Sequence, residues 1–175
     1  AKLEADKMTY HFEKQNLLNI AQQTSVELGG LFAKRNQNIQ IIEPDFVCVA
    51  EVDAMRISQV MHNLLSNAYK FTPEGGDIKI SFTNSKLERD SGKKVAALSV
   101  NITDSGLGIP EDELDSVFDK FIQSSKTRTK AGGTGLGLAI CQQIVIDHGG
   151  EIFAQNNPNQ GATFTFTLPI SHNPT

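Results

Sequence analysis

The sequence has no tryptophan, two tyrosines and two cysteines in 175 residues, and its acidic side chains outnumber its basic ones by 20 to 16. A net charge of −4 leaves it without the basic surface that a nucleic-acid backbone or an anionic membrane requires, so neither is an expected partner. Any phosphate chemistry must come from a local site. Cys48 and Cys141 lie far apart, show no CxxC or Cys/His spacing and sit in apolar runs, which makes them buried reduced thiols rather than bridge or metal ligands. No apolar run approaches the roughly 18 residues of a membrane span, and no basic and apolar leader opens the chain. A cytoplasmic chain is therefore expected, although a longer parent protein could still be anchored in a membrane.

What is present suits one well-buried core: 39% of residues are hydrophobic and 21% charged. Residues 1–8 are charged and helix-prone without a cap and look like the end of an upstream helix or linker; residues 9–170 form the domain and 171–175 a tail. Tyr10 and Phe12 alternate with polar neighbours, as in a short strand. After Asn16, a good N-cap, Leu17, Ile20, Ala21, Thr24, Leu28, Leu31 and Phe32 recur at helical spacing and predict a helix to about Asn36. Ile39–Ile42 and Phe46–Val52 read as two strands paired around Pro44 and Asp45. Asp53 caps a second helix whose stripe is Ile57, Val60, Met61, Leu64, Leu65 and Ala68, ended by Thr72, Pro73 and two glycines. Asp77–Asn84 and Lys94–Asp104 form an antiparallel hairpin. A long polar loop from Gly106 to Gly133 follows, with one short helix over Glu111–Phe118. A helix over Leu136–His148, closed by Gly149 and Gly150, leads to strands Glu151–Asn156 and Ala162–Leu168. The order of elements gives a two-layer α/β sandwich: helices packed on a mostly antiparallel sheet.

Three segments carry possible chemistry. On the second helix Asn63, Asn67 and Lys70 fall within a stripe about 60° wide at roughly 100° per residue. By itself that is the solvated side of an amphipathic helix, but an amide oxygen followed one turn later by a lysine also suits Mg²⁺ and the phosphates it bridges. The segment DSGLGIP, residues 104–110, follows a strand directly and sets Gly106 and Gly108 two and four residues after a carboxylate. An ionised Asp104 is acceptor-only and can take the amino hydrogen of adenine, while turns of this composition also simply end strands. The run GGTGLGLAI, residues 132–140, leads straight into a helix, where free N–H groups and the helix dipole face an anion. It is neither a strand-first GxGxxG nor a Walker A loop.

Taken together and in this order, the segments resemble the histidine kinase branch of the gyrase, Hsp90, histidine kinase and MutL ATPase superfamily. RISQVMHNLLSNAYKFTP looks like its N box, DSGLGIP its G1 box, VFDKFIQ its F box and GGTGLGLAI its G2 box, and the likeness covers residues 9–169. The resemblance implies a Bergerat-type fold, a mixed sheet covered on one face by three helices, binding ATP and Mg²⁺. It implies Asn67 as the magnesium ligand, Asn63 and Lys70 as phosphate-side groups, Phe71 as a wall of the adenine pocket and Asp104 as the adenine reader. Gly106, Gly108 and Ile109 would line the nucleotide from the G1 side. Thr134, Gly135, Leu136, Gly137 and Leu138 would line it from the G2 side, and Thr163 would back up the aspartate. Phe118 and Phe121 would anchor a lid, unless they are plain core. Gln123 stands where many family members carry an arginine, which leaves Lys126, Arg128 and Lys130 as the lid cations.

In ATP-hydrolysing members of the superfamily a glutamate four residues before the metal ligand activates water. Here that position is Asn63, which accepts no proton at neutral pH, so transfer to an external nucleophile is favoured over hydrolysis. None of His11, His62, His148 and His172 has the neighbours of the family's phosphoacceptor. The expected acceptor is therefore a histidine on an upstream dimerisation domain, with a response regulator receiver domain as an indirect partner. Competing readings are a nucleotide-binding regulatory module without phosphotransfer, which Gln123 supports, and an ATP-driven clamp, which Asn63 opposes.

Overall fold

A computed structural model of the chain describes residues 8–119 and 137–172. Asn16 ends β1 (Glu13–Asn16) and opens α1 (Leu17–Glu27): its side-chain oxygen accepts the N–H groups of Leu18 and Asn19 at 2.9 and 3.3 Å. The single helix expected over residues 17–36 breaks at Leu28, beside the Gly29–Gly30 pair, and resumes as α2 (Gly29–Lys34). Asn36 then takes a positive φ of 53°, a conformation asparagine tolerates, and turns the chain into β2 (Asn38–Ile41). The strand β3 (Val49–Val52) leads through Asp53 to α3 (Ala54–Phe71), and Asp53 caps that helix by accepting from Arg56 N at 3.0 Å. After α3 come β4 (Asp77–Glu88), β5 (Lys94–Asp104), a short 3₁₀ helix (Glu111–Ser116), α4 (Gly137–Asp147), β6 (Glu151–Asn156) and β7 (Ala162–Pro169).

Five strands form one sheet in the order β2-β4-β5-β7-β6, with β2 parallel to β4 and every other pair antiparallel. The expected pairing of residues 39–42 with 46–52 does not occur. Instead β2 adds in parallel to the edge of β4, and β3 pairs with β1 in a separate two-stranded sheet. The turn between β2 and β3 is too irregular to fix a hairpin, and each strand finds a more distant partner. The strand expected at Tyr10–Phe12 begins three residues later, because Tyr10 and Phe12 use their rings elsewhere. Both pack edge-on against His148, Phe12 stacks on His172 at 3.4 Å, and the Tyr10 hydroxyl donates to Asp147 at 2.6 Å. The region expected as a helix over 111–118 is a 3₁₀ helix only.

The period-3.6 stripe of α3 is buried in full, from Ile57 to Ala68, against the inward residues of β5 and β7, among them Val100, Ile102, Phe164 and Phe166. Cys141, Ile144 and Val145 of α4 and Leu17, Ile20 and Ala21 of α1 complete this two-layer core. The long helices α1, α3 and α4 form one layer and the mixed sheet the other, the α/β sandwich read from the order of elements. On the opposite face of the sheet the same strands carry hydroxyl and amide groups, with Ser99 bonded to Thr167 at 2.6 Å and Thr165 to Asn101 at 2.8 Å. Cys48 and Cys141 are free and buried, and burial pushes the Cys141 thiol up to about 12. No helix among the described residues is long and apolar enough to cross a membrane.

Candidate nucleotide site

The C-terminal half of α3 runs between the start of α4 and the loop after β5. At one end Asn63 donates from its amide to the carbonyl of Gly137, the first residue of α4, at 3.3 Å. At the other end a Cβ on Gly106 would collide with the Phe71 carbonyl oxygen, so glycine is what lets the loop backbone touch the end of the helix. Eight residues at about 1.5 Å each put roughly 12 Å of helix between these contacts, and Asn67 and Lys70 lie along it. No hydrogen bond among the described residues ends on the Asn67 side chain, whose amide nitrogen is buried. Lys70 is exposed in the last turn. That turn is clamped from outside: Gln37 donates to the carbonyls of Tyr69 and Thr72 at 3.0 and 2.8 Å, and Arg35 donates to Tyr69 at 3.1 Å while lying over its ring. Of the four carbonyls that the end of α3 cannot satisfy internally, those of Tyr69 and Thr72 are thereby paired.

Asp104 ends β5 and is 3% exposed. One carboxylate oxygen accepts the N–H groups of Gly106 and Ala162 at 2.9 and 3.3 Å. No hydrogen bond among the described residues ends on the other. Burial pushes this carboxyl above its ordinary range, and the two backbone donors offset that only in part. A buried carboxylate with one oxygen spoken for and one open is an acceptor waiting for a donor. Gly108, at a positive φ of 77°, and Ile109, 3% exposed, continue the loop around it.

Thr163 does not occupy the place expected for it. It stands opposite Thr103 across β5 and β7, and strand alternation puts both side chains on the face away from Asp104 and Ile102. Its hydroxyl bonds Thr103 at 3.0 Å and donates to Asn157, whose amide reaches the Asp104 backbone carbonyl at 3.1 Å. The residue on the carboxylate side is Ala162, acting through its N–H. Gly161 precedes it at φ 85°, and a Cβ there would run into the Asp104 carbonyl oxygen.

The turn between β6 and β7 was legible in the sequence only as a turn, yet it supplies most of the second layer around the loop. Asn156 bonds both the N–H and the carbonyl of Ile109 at 2.7 Å, and Gln160 donates to the Ser105 carbonyl at 2.8 Å. The signal available was four carboxamides in residues 156–161, a stretch that needs only one glycine to turn. Of the G2 residues, Gly137 is exposed and in contact with Asn63, and Leu138 packs against the core. Phe118 is core: it is 6% exposed and meets Phe164 edge-on at 6.0 Å. Phe121, Gln123, Lys126, Arg128, Lys130, Thr134, Gly135 and Leu136 lie outside the described residues. The histidines have structural partners: His148 bonds the Ile144 carbonyl and the Asp53 N–H at 2.8 and 3.1 Å, and His62 bonds Glu27 at 3.1 Å.

Comparison with known proteins places this geometry. The chain is 36% identical over 167 residues to the sensor histidine kinase WalK of Bacillus subtilis strain 168, covering 94% of this chain and 26% of WalK. It is 38% identical over 161 residues to the adaptive-response sensory kinase SasA of Prochlorococcus marinus strain MIT 9303, covering 91% of this chain and 41% of that protein. The chain thus spans well under half the length of these curated relatives. Among solved structures, the catalytic domain of the histidine kinase ThkA superposes with a TM-score of 0.75 at 33% identity, over 93% of this chain and 97% of that one. ThkA in complex with the response regulator protein TrrA gives 0.77 at 28% identity, over 99% of this chain and 46% of that one. The sequence model of the histidine kinase-, DNA gyrase B- and HSP90-like ATPases matches residues 52–172, which take in α3, the Asp104 loop and the β6–β7 turn that holds it, and the chain belongs to that family of ATPase domains.

Proposed function

We propose that this chain is the ATP-binding catalytic domain of a two-component sensor histidine kinase, with residues 9–170 as the domain and 1–8 and 171–175 as flanking segments. In this reading it transfers the γ-phosphoryl group of ATP to a histidine on an upstream dimerisation and phosphotransfer domain of the same kinase. The observation that carries it is the Asp104 carboxylate, buried, held through one oxygen and open at the other. Such a group selects a ligand that presents a donor, as the adenine amino group does, and disfavours a base that presents a carbonyl there.

Phe71, at the end of α3 where Gly106 touches it, walls the base, and Gly106, Gly108 and Ile109 let the loop backbone lie close along the nucleoside. The phosphates then extend along α3 toward the start of α4, where Gly137 and Leu138, with Thr134, Gly135 and Leu136 before them, offer N–H groups and the positive end of a helix. Lys70 adds an exposed cation on that face, and Arg128 is proposed as a second cation for the phosphates. Asn67 fits a magnesium ion through its amide oxygen, a hard ligand on the stripe of α3 that also carries Asn63 and Lys70, and no hydrogen bond among the described residues ends on that oxygen. A magnesium ion held by Asn67 would supply positive charge to offset that of the phosphates. Asn63 orients and cannot take a proton from water, so the nucleotide waits for an external nucleophile.

The likeness to kinases and the complex of ThkA with TrrA support a receiver domain as the eventual acceptor of the phosphoryl group. The same reading puts the chain in the cytoplasm. The test is to incubate the 175-residue chain with γ-labelled ATP and Mg²⁺, alone and with the upstream domain of its parent kinase. Label is expected on the added domain only, and slowly, because separate pieces lose the effective concentration of a linker. Acid-labile label on the chain alone would reveal an acceptor among His11, His62, His148 and His172. Rapid phosphate release by the chain alone would establish hydrolysis instead.

A further inference from the structure

We propose that Asn156 is a positioning residue for the nucleotide loop, holding Gly108 and Ile109 in the conformation that leaves the seat at Asp104 open. The inference rests on the nucleotide-site reading above and adds a residue that lies outside the four sequence boxes. Its basis is an unusual pairing. Asn156 is the last residue of β6, and its backbone pairs with Ala162 of β7. Its side chain then does sideways what a strand residue does across a ladder: Oδ1 accepts the Ile109 N–H and Nδ2 donates to the Ile109 carbonyl, both at 2.7 Å. Two strand residues that exchange both bonds form the same closed pair.

Ile109 needs such a partner because its own backbone finds none in the sheet. With Gly108 at φ 77° the segment cannot continue β5 as a ladder, and among the described residues no other group bonds the Ile109 N–H or carbonyl. Ile109 is buried, so without Asn156 two main-chain groups would be left unpaired away from water. The loop would then move to hydrate them. Asn156 also fills the space over Gly108, where a Cβ would stand 2.9 Å from Oδ1. Asn157 and Gln160 hold the other end of the loop at the carbonyls of Asp104 and Ser105, at 3.1 and 2.8 Å. The turn is thus a template pressed against the back of the loop, with Asn156 at its Gly108–Ile109 end and Asn157 at its Asp104 end.

The geometry separates the two ends of the nucleotide. The Asn156 side chain bonds only the base-side loop, whereas the proposed phosphate-side groups stand on α3 and at the start of α4. In Asn156→Ala, ADP affinity measured without metal is expected to fall at least about tenfold, since two buried bonds are lost. Affinity for tripolyphosphate, which has no base, is expected to stay within about twofold. In Asn156→Asp the ionised side chain accepts but cannot donate, and it repels the Ile109 carbonyl. Protonated, it offers one O–H and one C=O and restores the pair. The ratio of its ADP affinity to that of the native chain should therefore climb as pH falls from about 6 toward the ordinary aspartate value near 4, and dividing by the native value at each pH removes the titration of Asp104 itself.

Equal ADP affinity in Asn156→Ala and the native chain would overturn the proposal while leaving the nucleotide site standing. So would parallel losses of ADP and tripolyphosphate affinity, which mark a general loss of structure, or an Asn156→Asp ratio that does not move with pH. Should Asn156→Ala fail to fold, the Asn156→Asp pH series decides alone. A native chain that binds no adenine nucleotide would remove this inference together with the reading it rests on.

Discussion

Replacing Asp104 by asparagine should make the protein more stable and worse at holding ATP. The amide has the shape of the carboxylate, and its oxygen can accept the Gly106 and Ala162 N–H groups at 2.9 and 3.3 Å as Oδ1 does now. What changes is the open position, which turns from acceptor to donor and would face the amino hydrogens of adenine. A hydrogen bond to a charged group is worth about 1.5–3 kcal/mol, so its loss alone costs about 10- to 100-fold in affinity. The opposed donors add to that. Stability moves the other way, because burial is the largest influence on Asp104 and raises its pKa. At neutral pH the folded state carries a charge it would rather not bury. Between the ordinary carboxylate value and the raised one the folded state binds more protons than the unfolded state, so native stability falls as pH rises through that window and stays reduced above it. Asp104→Asn has no such term. Urea titrations of both chains should therefore diverge in favour of the variant as pH rises from about 4 to 7, while calorimetry with ATP shows the loss of binding. A folded Asp104→Asn chain with native ATP affinity would refute the adenine-reader assignment. One less stable than native at neutral pH would refute the account of burial.

Asn67→Ala is expected to lower the ratio of ATP affinity with Mg²⁺ to that without it by about tenfold, a loss on the scale that even an outer-sphere partner of a metal produces; affinity without metal should change little, and an unaltered ratio would exclude Asn67 as a ligand. For His148, burial depresses the imidazole pKa, against the opposing pull of the Ile144 carbonyl and the charge of Asp53. A depressed histidine favours the fold above its ordinary value near 6.5, and that contribution is lost as pH falls below it. Protonation would also place a hydrogen on Nε2, which now accepts the Asp53 N–H at 3.1 Å at the head of α3. Urea midpoints of the native chain should drop between about pH 6.5 and 5, and those of His148→Gln should drop less; identical slopes would show that the acid sensitivity lies elsewhere.

The sequence by itself determined the parts whose signal is local. The apolar period of α3 from Ile57 to Ala68, the Asn16 and Asp53 caps and the β4–β5 hairpin all depend on a few neighbouring residues, and each is found in the folded chain. Tertiary structure decided whatever depends on distant partners. Pairing of β2 with β4 and of β1 with β3 could not be read from strands that are only four residues long, because short apolar runs fit several neighbours equally well. Nor could the sequence choose the face on which Thr163 stands: one step of alternation separates the Asp104 side of the sheet from the hydroxyl side, and register across β5 and β7 settles it. Asn156 illustrates the limit most clearly. Its amide lies 47 residues along the chain from the Ile109 backbone that it pairs with, and only the closing of the sheet between them brings the end of β6 to the nucleotide loop.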